Sequence, residues 1–204
     1  MAEKSDEVVL VIDNDESVRD AIANLIAAIG LTCLTFASAK EFLEADLPNV
    51  PRCLVLDVRL PGLSGLNLQQ ELLQRKVEIP IIFVTGHADI PMAVQAMKAG
   101  ALEFLTKPFR DQDLLDAIQQ ATRRDRFARS QRSELGELQR RFESLTTRER
   151  EIMRLVVAGL ANKEIAFEVD ISEKTVNAHR SQVMNKMHAD SLAQLVRMAE
   201  KLRV

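Results

Sequence analysis

Short apolar runs alternate with amphipathic stretches along the first half of the chain. The runs cover residues 8–12, 31–36, 53–56, 80–84 and 102–105, and a stretch with helical spacing follows each of them. Runs of this length between amphipathic segments are typical of a parallel sheet that is covered by helices. We therefore predict an α/β doubly wound domain with five parallel strands, which ends near Ala121.

Polar residues follow four of these apolar runs. Asp13 follows the first run, Asp57 the third and Thr85 the fourth, and Lys107 comes shortly after the fifth. The carboxyl ends of parallel strands lie along one edge of the sheet, where ligands bind. The pattern therefore predicts a site in which two carboxylates, a hydroxyl and an ammonium group meet.

The second half has helical spacing throughout. Thr146 or Thr147 caps the first predicted helix, and Gly159 ends it. The remaining predicted helices cover 162–169, 173–187 and 191–202, with Ser172 as the N-cap of the long one. A short helix, a turn and a longer helix within a small bundle predict an all-α helix-turn-helix domain.

A strongly charged stretch, 121–145, joins the two halves. Its apolar residues have a heptad-like spacing, at positions 121, 128, 135, 138, 142 and 145. This spacing predicts a linker helix, and two interpretations stay open: a short two-helix coil, or a solvated helix that pairs with nothing. Gly136 weakens the helix prediction.

Charge also separates the halves. Residues 1–120 contain 10 Lys and Arg against 18 Asp and Glu, a net charge of −8, whereas 121–204 contain 17 against 12, a net charge of +5. The basic half is the candidate for binding a polyanion.

Other features of the chain bear on its compartment. No apolar run is long enough for a membrane helix and residues 1–7 are polar, so we expect a cytoplasmic protein without a membrane partner. Cys33 and Cys53 lack a CxxC spacing, and we expect buried thiols in a reducing compartment.

The aspartates at the predicted sheet edge could have three different roles. Its aspartates can hold Mg²⁺, attack a phosphoryl group, or serve only as structural acids. Lys107 can neutralise phosphate charge, and Thr85 can donate to a phosphate oxygen. Because the chain has neither GxxxxGK[ST] nor GxGxxG, we expect phosphate attached to the protein rather than carried by a nucleotide.

Four ordered segments resemble the receiver domain of two-component response regulators. They are Val11-Ile12-Asp13-Asn14-Asp15, Leu56-Asp57-Val58-Arg59-Leu60-Pro61-Gly62-Leu63-Ser64-Gly65, Val84-Thr85-Gly86 and Lys107-Pro108-Phe109. The resemblance covers about 6–122 and implies a flavodoxin-like sheet with strand order 2-1-3-4-5. It also implies that Asp57 accepts a phosphoryl group from a sensor histidine kinase.

The resemblance assigns roles to further residues. It places Mg²⁺ on Asp13, Asn14, Asp57 and the backbone carbonyl of Arg59. Lys107 and Thr85 contact the phosphoryl group, Phe104 is the aromatic switch residue, and the Lys107–Pro108 bond is expected to be cis. His87, beside Thr85, is expected to be a loop histidine.

One position departs from the family pattern. The family usually has two adjacent acids after the first strand, and Asn14 replaces the second of them. The amide oxygen can still ligate a metal, but one negative charge is lost. We therefore expect weaker Mg²⁺ binding and slower phosphorylation.

The second half resembles the LuxR-type helix-turn-helix. The matching segments are Leu145-Thr146-x-Arg148-Glu149, Gly159-Leu160-x-Asn162-Lys163-Glu164-Ile165-Ala166, Ile171-Ser172-x-x-Thr175-Val176-x-x-His179 and Val183-x-x-Lys186-Met187. The resemblance covers about 143–204, and together with the receiver it places the chain near the FixJ/NarL group. Val176, Val183 and Met187 are expected to form the buried stripe of the third helix.

The opposite face of that helix is the expected DNA-binding face. By resemblance Asn177, Ala178 and Ser181 read base edges, with Asn177 on adenine and Ala178 on a thymine methyl group. For each charged residue nearby, a solvated surface role stays open, and for His179 a helix-packing role. The candidates for phosphate contacts are Lys163, Lys174, Thr175, His179, Arg180 and Lys186.

These features lead to one principal hypothesis. The chain is a phosphorylation-controlled transcription regulator and not an enzyme, with a receiver (6–122), a linker helix (123–142) and a DNA-binding domain (143–204). Phosphorylation drives homodimerisation through residues 89–105 and binding to double-stranded promoter DNA, with RNA polymerase as a further partner. The dimer face includes Met92, Val94, Met97 and Lys98.

Two alternatives stay open. A phosphotransferase would turn over small phosphate compounds through Asp57, although Arg59 stands where such enzymes carry a second acid. A constitutive DNA-binding protein would use the receiver only for dimerisation.

Overall fold

The computed structural model describes residues 7–86 and 89–204. Residue 6, where the predicted receiver begins, and His87, the predicted loop histidine, lie outside the described residues. The chain divides into two compact units, one running to Arg129 and the other covering Ser130–Val204. This boundary falls inside the stretch that was predicted as a linker.

The first unit contains a five-stranded, entirely parallel sheet. Its strands are β1 (Val8–Ile12), β2 (Thr32–Phe36), β3 (Arg52–Leu56), β4 (Ile81–Thr85) and β5 (Glu103–Thr106). The strand order is β2-β1-β3-β4-β5, so the predicted doubly wound sheet and its order 2-1-3-4-5 are confirmed.

Helices cover both faces of this sheet. Along β1, Leu10 and Ile12 belong to one apolar cluster, and Val9 and Val11 belong to the other. The first cluster includes residues of α2 (Ala39–Glu44), α3 (Gly65–Gln74) and α4 (Ile90–Lys98). The second includes residues of α1 (Glu16–Ala28) and of α5, which begins at Asp111. Burial on both faces explains why the central strands β1, β3 and β4 are almost entirely apolar without alternation.

Short polar side chains begin the helices of the first unit. Ser38 caps α2, Ser64 caps α3 and Asp89 caps α4, and all three belong to the residue types that favour this position. Helix α1 begins at Glu16, and this makes Asp15 its N-cap.

Helix α5 is continuous from Asp111 to Glu143 and includes the predicted linker, with Gly136 in its interior. Ala121 lies in the core of the first unit, whereas Leu138 and Phe142 lie in the core of the second. Ala121, Leu138, Phe142 and Leu145 thus pack in the chain's own two cores, whereas Leu135 is exposed, and both interpretations of the linker stay open.

The second unit is built from α6 (Thr147–Val157), α7 (Asn162–Glu168), α8 (Glu173–Met187) and α9 (Leu192–Leu202), together with the end of α5. Thr146 and Glu149 form a capping box at the start of α6. Within the described ranges, no helix has both the length and the apolar character needed to span a membrane.

The two cysteines carry free thiols. Cys53 is fully buried in β3, whereas Cys33 is only half-buried, so the prediction of burial holds for one of them in full. Burial raises the pKa of the Cys33 thiol to about 11 and raises that of Cys53 as well. Both thiols are therefore protonated at neutral pH.

Candidate functional site

The structure brings together three of the residues that the strand ends predicted. Nζ of Lys107 lies 2.5 Å from Oδ2 of Asp13 and 3.8 Å from Oδ2 of Asp57. Both carboxylates are largely buried, with 2% of Asp13 and 8% of Asp57 exposed. Two carboxylates thus face one ammonium group.

Backbone hydrogen bonds hold each of these residues just beyond its strand. The Asp57 N–H donates to the Ile12 carbonyl at 2.9 Å, and the Lys107 N–H donates to the Thr85 carbonyl at 2.8 Å. These bonds extend the sheet ladder by one step, so the side chains that follow the strands emerge at the same edge.

The carboxylate oxygens differ in how they are occupied. Oδ1 of Asp13 accepts from the Asp15 N–H at 2.9 Å, and its Oδ2 accepts from Lys107. Oδ1 of Asp57 accepts from the Arg59 N–H at 3.2 Å. Oδ2 of Asp57 has only its ion-pair contact to Lys107, which makes it the least engaged of these oxygens among the described residues.

Thr85 and Phe104 lie on the neighbouring strands β4 and β5. Thr85 ends β4, is fully buried, and pairs in register with Thr106 of β5. Phe104 is half-buried in the apolar core, and its ring centroid lies 6.0 Å from that of Phe83. The Lys107–Pro108 peptide bond is cis, which confirms that prediction.

The structure divides the acidic stretch after β1 into separate roles. Asp13 faces Lys107, whereas Asn14 is exposed. Oδ1 of Asp15 accepts from the Ser17 N–H at 2.9 Å and so caps α1. Asp15 therefore serves the helix, and Asn14 is the residue left beside Asp13 to offer a further oxygen.

The donor set at this edge fits a hard divalent cation. No group of three or more His, Cys, Asp or Glu side chains is placed for metal binding in the described part of the chain. Mg²⁺ is commonly held by only one or two carboxylates, with water and phosphate oxygens completing its shell. Two buried carboxylates, with Oδ2 of Asp57 the least engaged oxygen, meet that requirement.

Gly65 brings α3 against the loop that carries Asp57. Its N–H donates to the Val58 carbonyl at 2.9 Å. A Cβ at this position would overlap the carbonyl oxygen of Asp57 and lie 3.0 Å from its carbonyl carbon. Glycine is therefore required here because of close approach, not because of its backbone angles.

In the second unit, helix α8 has one buried face and one exposed face. Val176, Val183 and Met187 are buried, as predicted. The residues that were assigned to base edges, Asn177, Ala178 and Ser181, are all exposed. Of the residues assigned to phosphate, Lys163, Lys174 and Thr175 are exposed, and His179, Arg180 and Lys186 are half-buried.

Lys186 makes an internal ion pair that sequence patterns did not reveal. Its Nζ donates to both carboxylate oxygens of Glu149, at 2.9 and 2.7 Å. Burial favours the neutral form of Glu149, but hydrogen bonds from Lys186 and Thr146 outweigh it, so the pKa of Glu149 is lower than usual. This ion pair competes with any contact between Lys186 and DNA phosphate.

Asn162 and Arg19 form hydrogen bonds to candidate site residues, and the sequence did not predict these contacts. Asn162 bridges Arg180 and Asn177 by hydrogen bonds of 2.6 Å each. Arg19 donates from Nη1 to the carbonyl oxygen of Asp13 at 2.9 Å. Arg19 and Asn162 both lie near the start of a helix, in α1 and α7. This position is the one feature of the sequence that could have pointed to these contacts.

Comparison with known proteins identifies the two halves. Residues 9–119 match the response regulator receiver domain, and residues 143–199 match the luxR family of bacterial regulatory proteins. The chain belongs to the response regulator family. A receiver followed by a LuxR-type helix-turn-helix makes it a DNA-binding transcription factor of a two-component system.

Relatives of similar length support this assignment. Nodulation protein W of Bradyrhizobium diazoefficiens is 51% identical over 197 residues, which cover 97% of this chain and 87% of that protein. Transcriptional regulatory protein FixJ of Rhizobium meliloti is 43% identical over 196 residues, which cover 96% of each. The recognised resemblance to the FixJ type of regulator is thus confirmed.

Solved structures of response regulators also match. The response regulator StyR is 47% identical, with a TM-score of 0.91 over 97% of this chain and 100% of that one. Full-length FixJ from B. japonicum is 39% identical, with a TM-score of 0.56 over 95% and 96% of the two chains.

Proposed function

We propose that this response regulator is switched by phosphorylation of Asp57 and then binds promoter DNA as a homodimer. The observation that carries the proposal is the cluster of Asp57, Asp13 and Lys107 at the carboxyl edge of the sheet. The phosphoryl donor is a phosphohistidine of a sensor kinase, and RNA polymerase is a further partner on the promoter.

The transfer step follows from the occupancy of the carboxylate oxygens. Oδ2 of Asp57 attacks the phosphorus atom, an O–P bond forms, and the P–N bond to the kinase histidine breaks. The Lys107 ammonium, 3.8 Å from Oδ2 of Asp57, is placed to neutralise the charge that arrives with the phosphoryl oxygens. Because Arg59 stands two residues after Asp57, no second acid is present there to support the turnover of small phosphate compounds.

The same edge is proposed to hold Mg²⁺. Asp13, Asn14, Asp57 and the carbonyl of Arg59 would bind the ion, which supplies positive charge to the phosphoryl oxygens. Asn14 contributes a neutral oxygen where a carboxylate would contribute charge, so we expect the affinity for Mg²⁺ to be weakened.

Thr85 and Phe104 are proposed to relay the modification to a dimer face. A new phosphoryl oxygen near Asp57 offers an acceptor to the buried Thr85 hydroxyl, and a shift of Thr85 changes the space beside Phe104. The proposed dimer face, residues 89–105, exposes Ile90, Val94 and Met97 on α4, whereas Met92 packs towards the core. Phosphorylation then favours the dimer by a population shift.

The exposed face of α8 is proposed to enter the major groove. Asn177, Ala178 and Ser181 would meet base edges, while Lys163, Lys174, Thr175, His179 and Arg180 would contact phosphates. For Lys186 the same role requires that its ion pair with Glu149 opens.

A paired modification and binding experiment tests this function. The full chain is incubated with acetyl phosphate and Mg²⁺, and intact-mass and peptide mass spectrometry locate the added phosphoryl group. We expect one group on Asp57 in the wild type and none in Asp57→Asn. Asp15→Asn is the matched control, because it changes an acid two residues from Asp13 but keeps a capping oxygen for α1.

Dimerisation is measured on the same samples by sedimentation. We expect dimers in the phosphorylated wild type and monomers in Asp57→Asn after the same treatment with acetyl phosphate. Modification elsewhere in the chain, or release of inorganic phosphate in many turnovers, would refute it.

A further inference from the structure

A hydrogen-bonded relay links the two helices of the helix-turn-helix. Nη1 of Arg180 donates to Oδ1 of Asn162, and Nδ2 of Asn162 donates to Oδ1 of Asn177, each at 2.6 Å. Asn162 is the first residue of α7, and the other two lie on α8. The relay thus ends on a residue that is assigned to base recognition.

The chemistry of arginine fixes the direction of the whole relay. A guanidinium group has only donors, so the atom of Asn162 that faces Arg180 must be its carbonyl oxygen. The NH₂ group of Asn162 then faces Asn177, and it can bond only to the oxygen of that amide. Both amide orientations therefore follow from Arg180.

In this orientation the oxygen and the NH₂ group of the Asn177 amide differ in their hydrogen bonding. One lone pair of its Oδ1 is occupied by Asn162, whereas no described residue accepts a hydrogen bond from its NH₂ group. Asn177 is exposed, so its NH₂ group is the end more open to a base, whereas its oxygen keeps only one free lone pair. A free asparagine, in contrast, offers a donor and an acceptor together and pairs with adenine.

We propose that Asn162 is a positioning residue for DNA specificity: held by Arg180, it makes Asn177 a hydrogen-bond donor and so favours a base that presents acceptors in the major groove. Guanine presents N7 and O6 and thymine presents O4, whereas adenine presents only N7 beside its N6 amino group and therefore offers less to a donor alone. This inference rests on the proposed role of Asn177 in reading a base. It replaces the simple expectation that Asn177 pairs with adenine.

A single substitution reverses the relay. In Asn162→Asp the carboxylate still accepts from Arg180, but it has no N–H to donate to Asn177. The Asn177 amide then turns its NH₂ group to the new carboxylate and presents its oxygen to the DNA. A base with an amino donor, adenine or cytosine, becomes the preferred partner.

The experiment is selection of bound duplexes from a randomised DNA pool, with the full chain as wild type, Asn162→Asp, Asn162→Ala and Asn177→Ala. We expect the four proteins to differ at one position of each half-site. The wild type prefers guanine or thymine there, Asn162→Asp prefers adenine or cytosine by about tenfold, Asn162→Ala shifts to adenine because its Asn177 is free, and Asn177→Ala loses the preference. A purely structural role of Asn162 would change affinity but not the chosen base.

Control measurements separate the two levels of the proposal. Gln182→Glu places the same added charge on exposed α8, and it should weaken binding to all sequences equally. If Asn177→Ala alters the preferred base but neither Asn162 variant does, the relay has no role and the inference is refuted. If Asn177→Ala alters nothing, or the wild type selects no sequence, the proposed function of this face fails and the inference fails with it.

Discussion

At the scale of single residues, the number of carboxylates in the candidate site governs its expected affinity for Mg²⁺. Asp13 and Asp57 are buried beside Lys107, and Asn14 stands where the family usually has a third acid. A hard cation gains affinity with each carboxylate among its ligands. In the proposed Mg²⁺ site, the identity of residue 14 therefore sets how strongly the ion binds.

The variant Asn14→Asp tests this account. It restores one negative charge at an exposed position, and we expect tighter Mg²⁺ binding by about a factor of ten and faster phosphorylation by acetyl phosphate, since one close charge contributes on the order of 1 kcal/mol or more near a protein surface. Isothermal titration calorimetry measures the affinity. Asn49→Asp is the control, because it makes the same change beyond the opposite end of β3 and keeps an acceptor for Arg129. Equal affinity of Asn14→Asp and the wild type would contradict the account.

The ion pair of Glu149 and Lys186 gives the second unit a pH dependence. The pKa of Glu149 is lower in the folded chain than its usual value of 4.5. Its contribution to stability is therefore present above about pH 4.5 and is lost as the pH falls through the lower folded pKa. Lys186→Ala should lower the free energy of unfolding by about 1 to 3 kcal/mol at pH 7, and by less at pH 3.

Urea unfolding at several pH values measures this loss, with Glu149→Gln as the variant that cannot titrate. The difference between the wild type and Glu149→Gln should shrink as the pH falls below 4.5. A difference that stays constant between pH 3 and pH 7 would show that the ion pair does not stabilise the unit.

At the scale of elements, the site is assembled by strand ends and by one close approach. The strands end in register, so that Asp13, Asp57 and Lys107 meet at one edge. Helix α3 then begins against the loop after Asp57, which only a residue without a Cβ permits. The position of Asp57 is thus coupled to the first turn of α3.

Gly65→Ala should destabilise the first unit by about 1 to 3 kcal/mol or more, because its Cβ overlaps backbone atoms that cannot move away freely. Thermal unfolding measures this effect. Gly136→Ala is the matched control: it lies in the interior of α5 with nothing within 4 Å of the added carbon. It should stabilise the chain by up to about 1 kcal/mol. Equal effects of the two substitutions would contradict the role given to Gly65.

Features governed by nearby residues could be predicted from the sequence. Strands, strand-end residues and the caps at Ser38, Ser64 and Asp89 follow from apolar spacing and side-chain chemistry over a few positions. Contacts between distant segments could not be predicted, since they depend on how helices pack. Lys186 is 37 residues from Glu149, and its place on the helix predicted to bind DNA suggested a phosphate contact instead.

The outcome at Asp15 illustrates competition between two local possibilities. A carboxylate there can serve a metal site or a helix terminus. The start of α1 at Glu16 decides for the helix, because it places the Asp15 side chain on the free N–H groups of the first turn. A shift of one residue in the helix boundary, which sequence patterns do not resolve, determines the role of the side chain.

At the scale of the whole molecule, the chain joins an acidic half with a phosphoacceptor candidate to a basic half with a DNA-binding helix. The net charge of +5 on the second half suits binding to DNA, whereas the first half carries a net charge of −8. Helix α5 contains the boundary between the two compact units, at Arg129 and Ser130. The central claim is that phosphate at Asp57 controls the affinity of the other half for DNA.

The most direct measurement is the dissociation constant of the full chain for its selected DNA duplex, with and without acetyl phosphate and Mg²⁺. Asp57→Asn is measured in parallel, at one fixed salt concentration. We expect phosphorylation to tighten binding of the wild type by about tenfold or more, which corresponds to a coupling of roughly 1 to 3 kcal/mol, and to leave Asp57→Asn unchanged. Equal affinities for the two states of the wild type would contradict the claim and would favour a constitutive DNA-binding protein.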